Sequence, residues 1–209
     1  MRILDLSAAI DRFIESRSEP FGPEYRNTDR HVIQAVNDPD MPAKDRIAIV
    51  RTWWGRYSVS RNLREGEHDR VARAVLRYAD QREHRKLPEK CVTAEFQVLE
   101  GVMKKARTLE NRDRVIDSLC SKTLWFCYPH SVPMLDGNAE GAIRVISRLC
   151  DFPARKRAPR YVNFATAWFE GYSLVSSKIR TDDEHPYAVR VFDAFLWWLG
   201  QGSFEASGD

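Results

Sequence analysis

The sequence predicts an all-α protein that folds as a single compact domain of about eight helices. Three observations predict this: apolar side chains recur at helical spacing, prolines and short polar clusters separate these stretches, and alternating runs typical of strands are nearly absent. Of the 209 residues, 43% are hydrophobic and 11% are aromatic. This apolar content is enough for one core and excludes a disordered chain. We therefore expect one domain over residues 1–209.

The predicted helices follow one another along the chain, separated by turns. The first begins near Leu4 and ends before Pro20, and residues 20–30, with two prolines and a glycine, are predicted as a loop. Pro186 is expected to open the last helix and Gly200 to end it. Between the first helix and the C-terminus, the apolar spacing predicts helices over residues 43–54, 67–78, 91–105, 111–127, 138–149, 161–175 and 187–199.

Cysteine content and overall charge exclude several classes of protein. The chain has 33 basic and 30 acidic residues, so any affinity for nucleic acid must come from where the charges lie. The cysteines form no C-x-x-C pair and have no histidine at ligand spacing. We therefore expect no zinc site, no iron–sulfur cluster and no cofactor. The four cysteines are Cys91, Cys120, Cys127 and Cys150.

No targeting or membrane segment is expected. The chain begins M-R-I-L-D, which is too charged for a signal peptide, and no apolar run approaches the length that spans a bilayer. Four reduced, mainly buried thiols are typical of a cytoplasmic protein. The sequence thus predicts a soluble cytoplasmic protein and leaves its oligomeric state open.

One basic run stands out from the mixed charge of the rest of the chain. It consists of Arg155, Lys156 and Arg157, with Arg160 just after them. Two interpretations remain open, a solvated loop or helix end and a set of contacts to nucleic-acid phosphates.

Lys122 occupies an unusual position in its predicted helix. It comes seven residues after Val115, three after Leu119 and four before Phe126, so it lies on the apolar stripe rather than opposite it. Such a lysine either extends to the rim of the core or is partly desolvated. Desolvation favours the neutral amine that a lysine nucleophile needs, and both interpretations remain open.

Further polar and aromatic groups follow Lys122 closely. Asp136 precedes the helix predicted over 138–149, where it can cap that helix and still face a cleft. Trp125, Tyr128 and His130 are flat side chains that could flank an unstacked base, although aromatic residues in a helix are more often core. The segment therefore combines an amine, a carboxylate and aromatic surfaces within sixteen residues.

The segment 121–136, S-K-T-L-W-F-C-Y-P-H-S-V-P-M-L-D, resembles the signature of a known protein family. These are small bacterial proteins with an 8-oxoguanine-DNA-glycosylase-like fold, distant relatives of the helix-hairpin-helix glycosylases, and some occur in phage-defence settings. The C-terminal stretch 190–200, R-V-F-D-A-F-L-W-W-L-G, resembles the last helix of the same group. The resemblance implies a helix-hairpin-helix DNA glycosylase-like fold and excision of a base from DNA.

The same resemblance implies roles for individual residues. Lys122 would be the amine that attacks the sugar C1′, and Asp136 the carboxylate that stabilises the developing sugar cation. The excised base must leave the stack, and Trp125, Tyr128 and His130 would flank it. Arg155, Lys156, Arg157 and Arg160 would contact the DNA backbone. The implied partner is DNA, with no metal at the site.

Two other functions remain open. The segment 26–31, R-N-T-D-R-H, matches the R-N-x-x-x-H motif of HEPN ribonucleases, in which the arginine and the histidine act on the scissile phosphate. Alternatively, the chain is a non-catalytic module that binds nucleic acid or a protein through its basic run and its Trp-rich C-terminus.

Overall fold

The fold is helical throughout the part of the chain that the computed structural model describes, with no strand in it. The described residues are 3–15, 23–82, 86–108, 115–152, 158–179, 181 and 186–203. The all-α prediction is confirmed for these residues. Their helices are α1 (Ile3–Glu15), α2 (Pro23–Asn37), α3 (Ala43–Arg56), α4 (His68–Asp80), α5 (Glu89–Ala106), α6 (Asp117–Cys127), α7 (Gly137–Leu149), α8 (Arg160–Val175) and α9 (Ala188–Trp198).

The loop predicted over residues 20–30 is wrong from residue 23 onward, where α2 begins. Pro23 is the first residue of this helix, a position at which its missing N–H has no helical partner to lose. Further along α2, the buried side chains of Val32, Ala35 and Val36 supply the packing that holds the helix in place. Proline here marks the start of a helix rather than a break.

Contacts between helices divide the chain into two units. One comprises residues 23–132 and contains α2 to α6, and the other comprises residues 1–22 and 133–209 and contains α1 and α7 to α9. The single domain expected over 1–209 stays a prediction. Among the described helices, none combines the length and the apolar character needed to cross a bilayer.

In the unit of residues 23–132, consecutive helices pack on one another, and α2 also packs on α6. A buried arginine joins three of these helices. The Arg46 guanidinium donates hydrogen bonds to the carbonyls of Ala35 (2.7 Å) and Val36 (2.9 Å) near the end of α2. It also pairs with Asp80 on α4 at 2.6 Å. Arg46 therefore satisfies carbonyls that have no partner within their own helix.

In the other unit, α7 packs on α8 and α9, and α1 packs on α8. Two glycines allow close approaches. A Cβ at Gly171 would lie 2.9 Å from Ile143 Cδ1, so the Ile143 side chain of α7 packs directly against the α8 backbone there. A Cβ at Gly200 would collide with the backbone carbonyl of Asn138, because the helical turn Leu199–Ser203 packs on the start of α7.

Candidate functional site

Helix α6 is buried on every side rather than along one stripe. Every residue from Leu119 to Cys127 is buried, including the polar Ser121, Lys122 and Thr123. Val115, which was predicted to belong to the buried stripe, lies before the helix and is 61% exposed. The predicted stripe is therefore wrong at that end, whereas Lys122 does face apolar surroundings.

Lys122 is buried, with 7% of its surface exposed. Its Nζ lies 5.8 Å from the centre of the Tyr57 ring, within the range of a cation–π contact. This burial fits the desolvated interpretation better than an amine that extends into water. A lysine is almost never fully buried without a specific reason, so this position is the most anomalous in α6.

Neighbouring side chains fix the position of α6 around Lys122. The Thr123 hydroxyl accepts a hydrogen bond from Trp54 Nε1 (3.3 Å) and donates one to the Leu119 carbonyl (2.7 Å). Asn37 Nδ2 donates a hydrogen bond to the Phe126 carbonyl at 2.9 Å. The contacts from Trp54 and Asn37 come from α3 and α2, so both helices define the rotation of α6 about its axis.

Asp136 caps α7, as its position before the predicted helix indicated. Its backbone is extended (φ −130°, ψ 151°), and Oδ1 accepts a hydrogen bond from the Asn138 N–H at 3.0 Å. The carboxylate is half-buried, so it lies at the surface end of the helix rather than in the core. A helix N-terminus favours a negative charge there.

Residues 133–135, which lead into Asp136, are held by two other helices. The Tyr161 hydroxyl on α8 donates a hydrogen bond to the Pro133 carbonyl at 3.1 Å. Asp193 on α9 accepts one from the Met134 N–H at 3.2 Å and another from Trp168 Nε1 at 2.8 Å. Asp193 is 3% exposed, so both acceptor bonds lie in the core.

Sequence reasoning missed Tyr161 and Asp193 as residues that position Asp136. Asp193 offered one signal, since it is the single carboxylate in the apolar run of α9. Tyr161 offered none, because its partner is a backbone carbonyl that precedes it by 28 residues.

The three residues predicted to flank a base differ in exposure. Trp125 is fully buried and packs edge-on against Phe126 with ring centres 4.8 Å apart, which fits the core interpretation in this conformation. Tyr128 is also buried, and burial followed by the charge of Glu95 raises its pKa to about 12. His130 is exposed. Their role toward a base stays a prediction.

Partial burial, followed by the positive charge of Lys86, lowers the pKa of His130 below its ordinary value. The imidazole is therefore mainly neutral at pH 7, a form in which one ring nitrogen donates a hydrogen bond and the other accepts one. A neutral, exposed imidazole is suited to contact the edge of a base.

Part of the predicted DNA-backbone contact lies outside the described residues, namely Arg155, Lys156 and Arg157. Arg160 opens α8 and pairs with Glu140 at 2.6 Å, and Arg144 pairs with the same carboxylate at 2.6 Å. Hydrogen bonding from Arg160 is the main cause that lowers the pKa of Glu140. Part of the charge of Arg160 is thus already compensated within its own unit.

None of the cysteines is in a disulfide, and the two within α6 are deeply buried. Burial raises the pKa of Cys127 to about 12 and raises that of Cys120 as well. Both thiols stay protonated near neutral pH and are unsuited to act as nucleophiles. Across the described ranges, no group of three or more His, Cys, Asp or Glu side chains is placed to hold a metal ion.

The ribonuclease-like segment 26–31 lies in α2 rather than in a loop. His31 is exposed, and the side chain of Arg26 is outside the described residues. Five residues along an α-helix correspond to about 140° of rotation, so the two positions do not share a face.

Comparison with known proteins identifies no relative. No protein-family model, no curated protein and no solved structure matches the chain. Lys122 belongs to the unit of residues 23–132, and Asp136 belongs to the other unit.

Proposed function

We propose that this chain is a DNA glycosylase-like protein that excises a damaged or modified base from DNA. The observation that carries the proposal is the burial of Lys122 in α6. The proposal includes a helix-hairpin-helix glycosylase-like arrangement. It also includes a role in phage defence, because some proteins of the group that the sequence resembles occur in phage-defence settings.

The energetic cost of Lys122 supports a role in chemistry. Removing a charged amine from water costs several kcal/mol, and an apolar side chain at the same place avoids that cost. A buried amine beside an aromatic ring is available as a nucleophile once it is neutral. In the proposed reaction Nζ forms a bond to the sugar C1′ as the bond from C1′ to the base breaks.

The placement of Asp136 supports the second half of the mechanism. Breaking an N-glycosidic bond builds positive charge on the sugar, and a carboxylate fixed in advance stabilises that charge without reorganisation. Asp136 is fixed in this way by the cap of α7 and by the anchored residues 133–135 that precede it. It remains half-buried rather than enclosed, which a group that meets substrate requires.

The remaining parts of the proposal concern DNA contacts. His130 and Tyr128 would flank the extruded base, with Trp125 supporting them from the core. Arg160 and the preceding Arg155, Lys156 and Arg157 would contact phosphates. Such contacts weaken binding as the salt concentration rises. The logarithm of the binding constant falls with the logarithm of the salt concentration, with a slope of about 0.9 for each phosphate contacted.

The direct test is base release from a panel of duplexes that carry damaged or hypermodified bases, followed by alkaline cleavage of the abasic strand. We expect Asp136→Asn to reduce release at least about 100-fold, because the amide keeps the cap but offers no negative charge. Asp151→Asn is the matched control, since it removes one exposed carboxylate from the other end of α7. Release that survives Asp136→Asn unchanged would contradict the proposed role.

Lys122→Ala separates two forms of the mechanism. An enzyme that uses the amine covalently loses strand cleavage and borohydride trapping, whereas a monofunctional enzyme keeps base release. Lys44→Ala is the control, because Lys44 is exposed on α3.

The same assays address the two alternatives. DNA or protein binding without release of any base would identify a binding module, for which Trp197, 41% exposed at the end of α9, is the natural contact. Cleavage of RNA that is lost in His31→Ala would identify the ribonuclease.

A further inference from the structure

Tyr57, at the end of α3, connects two charged side chains. Its hydroxyl donates a hydrogen bond to Asp29 Oδ1 on α2 at 2.7 Å. The face of its ring lies toward the ammonium of Lys122, whose Nζ is 5.8 Å from the ring centre. Asp29 is 7% exposed, so its hydrogen bond to Tyr57 forms largely away from water. The three side chains form a continuous series from carboxylate to phenol to amine.

The Tyr57 ring is held in place from two sides. Its centre lies 5.1 Å from the Trp53 ring and 6.4 Å from the Phe126 ring, which is one helical turn after Lys122. Buried aromatic contacts of this kind restrict rotation of the ring. The position of the ring is therefore set independently of the lysine that it faces.

The backbone after Tyr57 is fixed as well. Ser58 has φ 53°, in the left-handed region that favours glycine. The N–H groups of Ser58 and Val59 bond to the carbonyls of Gly55 and Trp54, each at 3.0 Å, which closes α3 in a Schellman motif. Tyr57 is the last residue before this turn, so its ring direction is determined by the way α3 ends.

We propose that Tyr57, oriented by Asp29, is the positioning residue for the amine of Lys122. The proposal rests on the proposed function for the reaction that the amine performs, but the placement itself is independent of DNA. A hydrogen bond to a carboxylate draws the phenol proton toward Asp29 and makes the ring face more negative, which strengthens its attraction for the ammonium form of Lys122 in the free protein. The ammonium must lose its proton before Nζ attacks C1′. The ring thus holds Nζ at one place and in one direction.

This positioning has a spectroscopic consequence in the free protein. The chain has eight lysines, and the ε-CH₂ signal of Lys122 in lysine-labelled protein is assigned by its loss in Lys122→Arg. We expect that signal to lie upfield of the exposed lysines because of the Tyr57 ring current. Tyr57→Phe keeps the upfield shift, and Tyr57→Leu removes it. If the Lys122 signal of the wild-type protein lies at the position of the exposed lysine signals, the proposal is wrong. That result needs no Tyr57 variant.

A kinetic test connects the positioning to the reaction. With saturating abasic-site duplex and borohydride, Tyr57→Leu should slow single-turnover trapping at Lys122 about 10- to 100-fold, the cost of a misplaced reacting group. Tyr57→Phe should restore most of the rate, and the Kd for the duplex should change less than about threefold in both. Equal rates in wild type and Tyr57→Leu contradict the positioning role.

The two proposals fail in different ways. If the wild-type protein traps no substrate while the Lys122 signal is upfield and depends on the ring, the proposed function fails and the placement stands. If trapping occurs at Lys122 while its rate and its signal are indifferent to Tyr57, the function stands and the positioning fails. Asp29→Asn keeps an acceptor for the Tyr57 hydroxyl but removes the charge, so it should keep the upfield signal and slow trapping less than Tyr57→Leu does.

Discussion

Helices α6 and α7 are consecutive in the chain, yet they differ in how far their polar residues are buried. All residues of α6 from Leu119 to Cys127 are buried, and its amine is buried with them. In α7, buried residues such as Ile143 alternate with exposed ones, and the carboxylate of Asp136 caps its N-terminus at the surface. The comparison indicates that capping α7 would suffice to explain Asp136, whereas burying Lys122 carries the cost of removing a charged amine from water.

The difference in burial between α6 and α7 predicts a large difference in the stability cost of substitutions in the two helices. Trp125→Ala on α6 should lower the free energy of unfolding by about 3–5 kcal/mol, because it leaves a large cavity in a packed region. Val145→Ala on α7, where the side chain is 50% exposed, should change it by less than about 0.5 kcal/mol. Urea unfolding of both variants checks this. Similar losses would mean that α6 and α7 do not differ as described.

The next effect concerns the residues that lead into α7. Asp193→Ala should cost about 2–3 kcal/mol, because it leaves the N–H groups of Met134 and Trp168 buried without their acceptor. Asp193→Asn, which keeps one acceptor oxygen, should cost roughly half as much. Amide hydrogen exchange at Met134 should accelerate in the alanine variant. Unchanged exchange there would show that Asp193 does not hold residues 133–135.

A pH-dependent effect is expected at the surface of α7. The pKa of Glu140 is lowered by its hydrogen bonds to Arg160, so its contribution is fully present above the unfolded-state pKa of about 4.3 and is lost as pH falls through the lower folded value. Wild type should therefore exceed Glu140→Gln in stability at pH 7, and the difference should shrink as pH falls below the unfolded-state pKa. Urea unfolding at pH 7 and pH 3 measures it. A difference that is as large at pH 3 as at pH 7 would contradict an ionic origin.

The smallest predicted change in stability concerns the backbone conformation at the C-terminal end of α7. Asp151 follows the helix with φ 54°, and the Phe152 N–H bonds to the Ser147 carbonyl at 2.9 Å. Asp151→Gly should raise stability by about 0.5 kcal/mol, because glycine adopts this conformation without steric cost. Ser58→Gly at the end of α3 should behave alike. Thermal unfolding checks both, and a loss of stability in either would show that the side chain contributes more than the backbone costs.

Local signals in the sequence predicted α7 but not the start of α2. The helix predicted over 138–149 is observed as Gly137–Leu149, since its cap, its apolar stripe and its C-terminal turn are all local signals. Helix α2 was missed because Pro23 was interpreted as part of a loop, although it is favoured at the first helical position.

The site was predictable only in part, for the same physical reason. Spacing within one segment indicated that Lys122 lies among apolar side chains and that Asp136 precedes a helix, and their roles in a site stay a prediction. The contact of Lys122 with Tyr57, and of Tyr57 with Asp29, joins α6, α3 and α2. The apolar periodicity of a single helix carries no information about contacts between helices. Tyr57 and Asp29 were therefore identified only from the folded structure.

If Lys122 is kept in α6 for chemistry and not for stability, as we propose, then replacing it should not destabilise the fold. The most direct test is the free energy of unfolding of Lys122→Met, measured by urea denaturation at pH 7 beside the wild type. Methionine fills a similar volume without a charge, so the account predicts equal stability or a gain of about 1 kcal/mol. A loss of about 3 kcal/mol or more, the cost of breaking a satisfied buried charge, would contradict the account and make Lys122 a structural residue.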